Sequence, residues 1–495
     1  MTRIEAWLSH AVRRITAEPL GAHQAAVVRI GFSLTWLLFL LREYPHRHEL
    51  YGPDGPWSWS MGRRLVEDNG AFTALLWSDS QVWFECVYAL AVVSSVLLLL
   101  GWRTRTMTVL FMFGVLSVEN RSIFMSDGGD NVIHLMAIYL VLTRCGVVWS
   151  LDARRARRAR SATRAAAAAE AAVAEYPEDR DRTQVQDAGG RAEARDVVGP
   201  VLWSVLAVAL LVVTVQGYTD ATWLLVFWGL WATHGLWWYA DRRAAGAGTP
   251  APGGPPTAAA RSGKGDLRLL LDVIANLVHN AGLVIIMAET CLIYATAGWY
   301  KIQGSRWQDG TAVYYPLHLD YFSPWPALSE KLGSHGLVVL ALTYGTVMVQ
   351  VAFPFALFNR RVKNVLLVAM IGEHIGIAVT LGLPFFSMAM IAADSVFAPT
   401  AFLLWLGTMT VRVRDAALRR VRPARAQRNE ATTPPPPDGT PDQVGEPPRP
   451  AEQRAGDEVA QNKAGRPAPG ASEPSGDATE TAAPSAPVGT AESPS

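Results

Sequence analysis

The sequence predicts an all-α, polytopic transmembrane helix bundle with about ten spans and both termini in the cytoplasm. Half of the 495 residues are hydrophobic, and 18 of them are tryptophan. Segments of about 20 apolar residues recur along the chain, which is the length that crosses the hydrocarbon core of a bilayer. The net charge is only +1, so the composition gives no sign of a nucleic-acid partner, and the lipid bilayer is the first partner that it implies.

Residues 1–22 precede the first span and have the pattern of an amphipathic helix. One face carries the apolar side chains Ile4, Trp7, Leu8, Val12 and Ile15, and the other carries Arg3, Arg13 and Arg14. Such a helix can lie along the membrane surface. A cap packed on the membrane bundle would have the same pattern, so both positions remain open.

The candidate spans lie near residues 24–42, 81–100, 105–123, 131–149, 198–216, 220–240, 273–300, 336–358, 363–382 and 385–410. They form two parts of one membrane domain, 23–152 and 270–412, with an inserted hairpin at 198–240. The remaining segments are low in large apolar residues and are predicted to be cytoplasmic. They are a disordered loop at 153–197 with one local helix at 161–175, a linker at 241–269, and a disordered tail at 421–495 that is rich in Pro, Ala and Glu.

Orientation follows from basic residues, which concentrate in cytoplasmic loops. Alternate connections carry Arg13, Arg14, Arg103, Arg105, the run 154–160, Arg242, Arg243, the run 360–363, Arg412 and Arg414. The connections at 43–80, 124–130 and 301–335 are balanced or acidic, so they are predicted to be exterior. This pattern predicts a multi-pass protein of the cytoplasmic (plasma) membrane.

The three cysteines, Cys86, Cys145 and Cys291, all lie inside apolar segments. The chain has neither a CxxC motif nor Cys and His at the spacing of metal ligands. The sequence therefore predicts neither a disulfide framework nor a metal site.

Several ionisable residues fall inside the predicted spans, where a charge is costly and normally faces the interior of the bundle. They are Arg29, Glu85, Glu119, His134, Glu289, Glu373, His374 and Asp394. Each one alone is typical of a polar link between helices. Together they indicate a polar or wet cavity inside the bundle.

The stretch AGWYKIQGSRWQDG, at 297–310, ends the seventh span at its exterior mouth and contains Lys301 between Trp299 and Trp307. A lysine at a membrane edge can extend to water. A lysine in a partly dry pocket can instead act as a base, because desolvation disfavours the ammonium form. The two tryptophans are typical of the interfacial aromatic belt, or they shield the lysine from water.

Other candidate residues are predicted to meet Lys301 in one outward-facing cavity. The turn DGGDN at 127–131 precedes His134, and Asp130 or Asn131 can cap the following helix. His374 and Asp394 lie about equally far from the short link near residue 384, so they are expected at a similar depth. A contact of His374 with Asp394 or Glu373 would fix the imidazole tautomer.

The lysine stretch resembles the Ala-Gly-x-x-Lys…Trp-x-x-Gly segment of the HTTM membrane domain, which is shared with vitamin K-dependent γ-carboxylase. WSLD at 149–152, the GGDN turn and the region from His374 to GLPF at 382–385 resemble it as well. The resemblance covers roughly residues 20–152 and 270–410. It implies a quinol- and oxygen-dependent carboxylase or epoxidase.

The resemblance also implies the cofactors and the roles of individual residues. Lys301 would be the base that deprotonates a reduced menaquinone or vitamin K-like quinol, with O2 and CO2 as co-substrates. His374 would lie near that site, and His134 is the third catalytic candidate. The candidate cofactor-binding residues are Asp130, Asn131, Trp299, Trp307, Glu373 and Asp394.

Three functions therefore remain open. The first is the quinol-dependent enzyme. The second is a non-catalytic membrane protein that helps to mature, export or bind a peptide or protein partner on the exterior side; the expectation that no large exterior domain follows the last span favours it. The third is a transporter that uses the intramembrane carboxylates, against which the lack of a detectable internal repeat argues.

Overall fold

The computed structural model of the chain describes residues 3–122, 124–125, 127–175, 197–245 and 264–430. Every regular element in these ranges is helical. The helices are α1 (Arg3–Ala17), α2 (Ala22–Glu43), α3 (Arg47–Tyr51), α4 (Trp59–Asn69), α5 (Gln81–Leu100), α6 (Thr104–Glu119), α7 (Gly128–Val141), α8 (Leu151–Glu175), α9 (Val198–Gln216), α10 (Ala221–Ala245), α11 (Lys264–Gln303), α12 (Ser305–Gln308), α13 (Tyr314–Leu317), α14 (Pro326–Gly333), α15 (Gly336–Ala356), α16 (Arg360–Thr380), α17 (Pro384–Asp394) and α18 (Thr400–Glu430).

Within the described residues, six helices are long and apolar enough to cross a membrane. They are α2 with its continuation to Tyr51, α5, α9, α11, α15 and α16, and the bent pair of α17 and α18 would make a seventh. This result supports the prediction of an all-helical membrane protein. Helices α6 and α7 have 16 and 14 residues, so they are about 24 and 21 Å long, shorter than a hydrocarbon core of about 30 Å. The count of ten spans and the orientation remain predictions.

The last predicted span, 385–410, is broken in the structure. Helix α17 ends at Asp394, a 3₁₀ turn covers Ser395–Phe397, and α18 leaves at an angle of 118°. The cause is Pro399, which cannot continue a helix and restricts the residue before it. Ala398 accordingly has an extended backbone, with φ −62° and ψ 137°. The break places Asp394 at the end of a short, buried helix.

Helix α2 lies at the centre of the core and packs against α5 and α17. Trp36, Phe32 and Leu40 of α2 are fully buried. A Cβ at Gly31 would lie 2.5 Å from the Cβ of Ala392 on α17. Small residues of this kind let membrane helices approach closely, so the α2–α17 contact depends on them.

Polar side chains close the ends of two core helices. The Asp152 carboxylate accepts hydrogen bonds from the backbone amides of Arg103 at 2.9 Å and Thr104 at 2.7 Å, at the start of α6. The buried Arg29 guanidinium donates to the carbonyl of Leu99 at 3.0 Å, at the end of α5. Both helix ends would otherwise carry unpaired backbone groups. Asp152, the last residue of the WSLD motif, is therefore a helix cap, and Arg29 links helices.

The hairpin of α9 and α10 is clasped by two tryptophans. The Trp203 and Trp231 rings stack with their centroids 4.0 Å apart. Each indole N–H donates to the backbone carbonyl of the other residue, at 3.2 and 3.0 Å. Helix α9 buries none of its residues, whereas α10 buries Phe227 and Ala240, so the hairpin is attached to the remainder of the bundle mainly through α10.

Helix α1 keeps its apolar face open. Ile4, Trp7 and Val12 are 70%, 68% and 53% exposed. The end of the helix is tied to α11, because the Asn276 side chain donates to the Thr16 carbonyl at 2.9 Å. An exposed apolar face fits a position along the membrane surface, whereas a cap on the bundle would bury it.

Helix α8 covers the first part of the segment for which the sequence predicts a disordered loop, 153–197. Alanine and arginine dominate this stretch, and both are strong helix formers. The local helix expected at 161–175 is thus the second half of a longer one. Residues 176–196, 246–263 and 431–495 lie outside the described residues, and so do the predictions of disorder made for them.

Candidate functional site

The candidate site begins with a chain of three polar side chains from α11, α15 and α16, which we call the lysine network. The Lys301 Nζ donates to the Gln350 Oε1 at 2.8 Å. The Gln350 Nε2 donates to the Glu373 Oε1 at 2.6 Å. Lys301 therefore reaches Glu373 through a neutral amide, and it forms no ion pair with a carboxylate in the part of the chain that the structure describes.

A second chain, the tyrosine network, joins α11, α16 and α17. The Tyr294 hydroxyl donates to the Asp394 Oδ2 at 3.0 Å and lies 2.9 Å from the His374 Nε2. All three side chains are buried. A hydroxyl has one proton, so with Tyr294 donating to Asp394 the imidazole carries its proton on Nε2 and donates to the tyrosine oxygen.

Two atoms of the tyrosine network lack partners. The His374 Nδ1 and the Asp394 Oδ1 are buried and have no hydrogen-bond partner among the described residues. Buried polar atoms are nearly always hydrogen-bonded, and each one that is not calls for an explanation such as a catalytic role or an ordered water molecule. These atoms can therefore take a hydrogen bond from a ligand or a water molecule.

The two networks lie side by side along α11. Tyr294 and Lys301 are seven residues apart, so they share one helix face at a spacing of about 10 Å. Glu373 and His374 are neighbours on α16. The two networks thus share two of their helices, α11 and α16.

Trp307 covers the amine of the lysine network. The Lys301 Nζ lies 5.3 Å from the centroid of the Trp307 ring, within the range of a cation–π contact. The turn that carries Trp307 begins at Gly304, whose carbonyl accepts from the Trp307 amide at 3.0 Å. Trp299 is 63% exposed, so of the two bracketing tryptophans it is the one that faces away from the site.

The turn after Trp307 is fixed by Asp309. Its carboxylate accepts hydrogen bonds from the Thr311 hydroxyl and, at 3.0 Å, from the Thr311 amide. These bonds, with the one from the hydroxyl as the largest cause, hold the pKa of Asp309 below its ordinary value. The carboxylate therefore stays ionised and keeps the turn closed behind Trp307.

No protein-family model, curated protein or solved structure matches this chain. The chemistry of the site follows from its geometry. An amine that contacts an amide oxygen and an aromatic ring can exchange a proton without first breaking an ion pair. The partnerless atoms of His374 and Asp394 are acceptors, so they can orient a molecule that donates hydrogen bonds from hydroxyl groups.

The structure brings together five of the predicted site residues: Lys301, Glu373, His374, Asp394 and Trp307. The contact expected between His374 and either Asp394 or Glu373 is not direct. The Tyr294 hydroxyl lies between the imidazole and the Asp394 carboxylate instead. Helices α16 and α17, which the short link near residue 384 joins, leave space between His374 and Asp394 for a third side chain. Helix α11 supplies that side chain, Tyr294.

The other predicted residues lie outside both networks. Asp130 accepts from the Asp127 amide at 3.0 Å in a capping box at the start of α7. Asn131 is exposed and donates to the Asp127 carbonyl. His134 is half-buried on α7 and has no hydrogen bond to either network. Short polar side chains at a helix start bond to its free amides, which keeps Asp130 and Asn131 in the turn.

The turn nevertheless contacts the site through Phe386. This ring packs edge-on against His374, with centroids 5.5 Å apart. A Cβ at Gly129 would lie 2.6 Å from the Phe386 Cα, so only a glycine allows the start of α7 to approach α17 this closely. The turn at 127–131 is therefore separated from the imidazole by a single side chain.

Gln350 and Tyr294 are not among the residues that the sequence predicts for the site. Both are neutral, whereas charged groups and histidines inside the spans carried the prediction. A signal existed for each of them. Gln350 is a polar amide inside an apolar span, and Tyr294 precedes Lys301 by two helical turns on the same face.

Proposed function

We propose that the protein is an enzyme of the cytoplasmic membrane that removes a proton from a lipid-soluble quinol, with Lys301 as the base. The observation that carries this proposal is the environment of the Lys301 amine. It is half-buried, contacts an amide oxygen and lies against Trp307. Partial desolvation without an ion pair disfavours the ammonium form. It therefore favours the neutral amine, which is the form that a base requires.

The residues present fit a quinol. His374 Nδ1 and Asp394 Oδ1 are buried polar atoms without partners, and they can contact the oxygen substituents of the ring. Phe353 and Phe386 add aromatic walls next to Tyr294 and His374. A reduced menaquinone or vitamin K-like quinol would supply the oxygen-dependent chemistry that the resemblance to γ-carboxylase implies, with CO2 as the further co-substrate.

The chain's own residues have separate roles in this proposal. Lys301 accepts the proton at Nζ. Gln350 holds the amine in place by accepting a hydrogen bond at its Oε1, and its Nε2 donates a hydrogen bond to Glu373. Tyr294 fixes the imidazole of His374 against Asp394, and Trp307 shields the amine from water.

The test uses the purified full-length chain in lipid nanodiscs, with reduced menaquinone or vitamin K hydroquinone and oxygen. The measurement is the rate at which the quinone epoxide forms. We expect Lys301→Met to lower this rate by about 10²–10⁴-fold, the usual effect of a general base. Lys331→Met is the matched control, because Lys331 is exposed on α14 and should leave the rate unchanged.

Two results would overturn the proposal. One is a wild-type protein that is folded and inert with every quinol tested, which would favour the non-catalytic role with an exterior peptide partner. The other is a Lys301→Met variant that retains the wild-type rate, which would assign the base to another residue.

A further inference from the structure

A cavity of about 710 Å³ lies between the hairpin α9–α10 and the helices α5, α6, α7 and α11. It contains no residue of the lysine or tyrosine network. Its volume is in the range of small-molecule sites, roughly 300–1,000 Å³. Most of its lining is apolar, and the charged side chains in the lining are arginines.

Helix α9 forms one wall with a stripe of leucines. Leu202, Leu206 and Leu210 line the cavity at intervals of four residues, the spacing of one helix face. Val201 and Val205 on the outer face are 55% and 58% exposed. Leu202 and Leu210 are partly buried against the core, and no residue of α9 is fully buried, so an apolar occupant of the cavity would cover the leucine surface that remains open.

The polar end of the cavity is a cluster of guanidinium groups around Trp237. Arg105, Arg268 and Arg144 lie 4.0, 4.5 and 5.8 Å from the centroid of this ring. Arg103 and His234 also line this end. Cations stacked on one indole in this way are drawn together by the ring despite their like charge.

The carboxylates near this cluster pair with two of the three arginines. Arg144 forms an ion pair with Asp272 at 3.3 Å, and Arg268 forms ion pairs with Asp272 at 3.0 Å and with Asp241 at 2.5 Å. The Arg105 guanidinium has no hydrogen bond or ion pair within the described residues, and Arg105 lines the cavity. Three guanidiniums against two carboxylates leave one positive charge uncompensated.

We propose that this cavity binds one anionic phospholipid of the cytoplasmic leaflet, with its phosphate at Arg105 and its acyl chains along the leucine stripe of α9. Guanidinium groups match the geometry of phosphate oxygens. Basic pockets between membrane helices on the cytoplasmic side are typical headgroup sites, and Arg103 and Arg105 of this end are among the basic residues that the sequence predicts to be on that side. The acyl chains would also cover the leucine surface of α9 that faces the cavity.

The experiment measures lipid retained by the full-length protein. The protein is exchanged into detergent that contains phosphatidylglycerol or phosphatidylcholine, and bound lipid is counted by native mass spectrometry. We expect the wild type to retain one phosphatidylglycerol and little phosphatidylcholine. Arg105→Gln should lower the retained fraction about tenfold, because it removes a charge-assisted contact. Arg157→Gln, an exposed arginine of α8 outside the cavity, should change nothing.

A second variant tests the apolar end. Leu206→Trp fills the space beside α9 while all arginines remain, so it should also lower retention if it folds, as checked by size-exclusion chromatography. Equal retention of the two lipids, or equal loss in Arg105→Gln and Arg157→Gln, would overturn the proposal. Retention unchanged in Leu206→Trp would do the same. Displacement of the lipid by millimolar glycerol phosphate would also overturn it, because it would show that the arginines bind a soluble phosphate ester and not a lipid headgroup.

Discussion

Tyr294 is the residue on which the inner half of the candidate site depends, because its single hydroxyl contacts two buried groups from different helices. Tyr294→Phe would leave the His374 Nε2 and the Asp394 Oδ2 without partners. Leaving a buried polar group unpaired costs about 1–3 kcal/mol. We expect a loss of this size in the free energy of unfolding, measured by denaturant titration in detergent.

The matched control for this change is Tyr300→Phe. Tyr300 lies on the same helix and is 75% exposed, so the loss of its hydroxyl should have almost no effect on unfolding. Equal unfolding free energies for the two variants would show that the tyrosine network does not stabilise the fold.

Replacing Gln350 with glutamate changes the charge next to the proposed base and leaves the size of the side chain almost the same. Gln350→Glu would place a carboxylate beside the Lys301 Nζ, where the wild type has an amide oxygen at 2.8 Å. An adjacent negative charge favours the ammonium form, so the quinol-dependent rate should fall about 10²-fold at neutral pH, near the effect of losing a base. The pH at which this rate rises should be higher than in the wild type, because more alkaline conditions are needed to deprotonate the Lys301 amine. An unchanged pH profile would contradict the role of Lys301.

At the scale of elements, the contact of α7 with α17 depends on Gly129. The methyl group of Gly129→Ala would lie 2.6 Å from the Phe386 Cα, and a backbone atom cannot move aside cheaply. Overpacking of this kind costs about 1–3 kcal/mol. We expect a lower thermal midpoint in detergent.

Gly345→Ala on α15 is the comparison for this prediction. A Cβ at Gly345 meets no atom within 4 Å, and alanine favours a helix over glycine by about 1 kcal/mol. The midpoint should therefore stay the same or rise. A fall of equal size in both variants would show that the close approach of α7 to α17 is unimportant.

Sequence patterns predicted these elements unevenly. The bounds of α5 and α9 agree with the predicted spans because a continuous apolar run in each case ends at a glycine, Gly101 or Gly217. The break between α17 and α18 was missed because the composition stays apolar across residues 395–398, and only Pro399 indicates it. Lys301, Glu373, His374 and Asp394 were found because a charge stands out in an apolar span. Their exact partners depend on which helices pack together, which a single sequence does not specify.

At the scale of the whole molecule, the orientation in the membrane can be tested with two new cysteines. Ser60 on α4 is predicted to be exterior and Ser161 on α8 to be cytoplasmic, and both are exposed. In a background that lacks Cys86, Cys145 and Cys291, Ser60→Cys should react with a membrane-impermeant maleimide on intact cells. Ser161→Cys should react after permeabilisation. The reverse pattern would invert the predicted topology and move the arginine end of the cavity to the exterior.

The tryptophan clasp of the α9–α10 hairpin has an optical consequence. Two parallel indole chromophores 4.0 Å apart couple when they absorb light, and such coupling produces a pair of circular-dichroism bands of opposite sign. This pair of indoles thus reports, without a label, whether α9 and α10 are in contact. The spectrum would lose the contribution of this pair when the two helices of the hairpin separate, even while the remainder of the bundle stays folded.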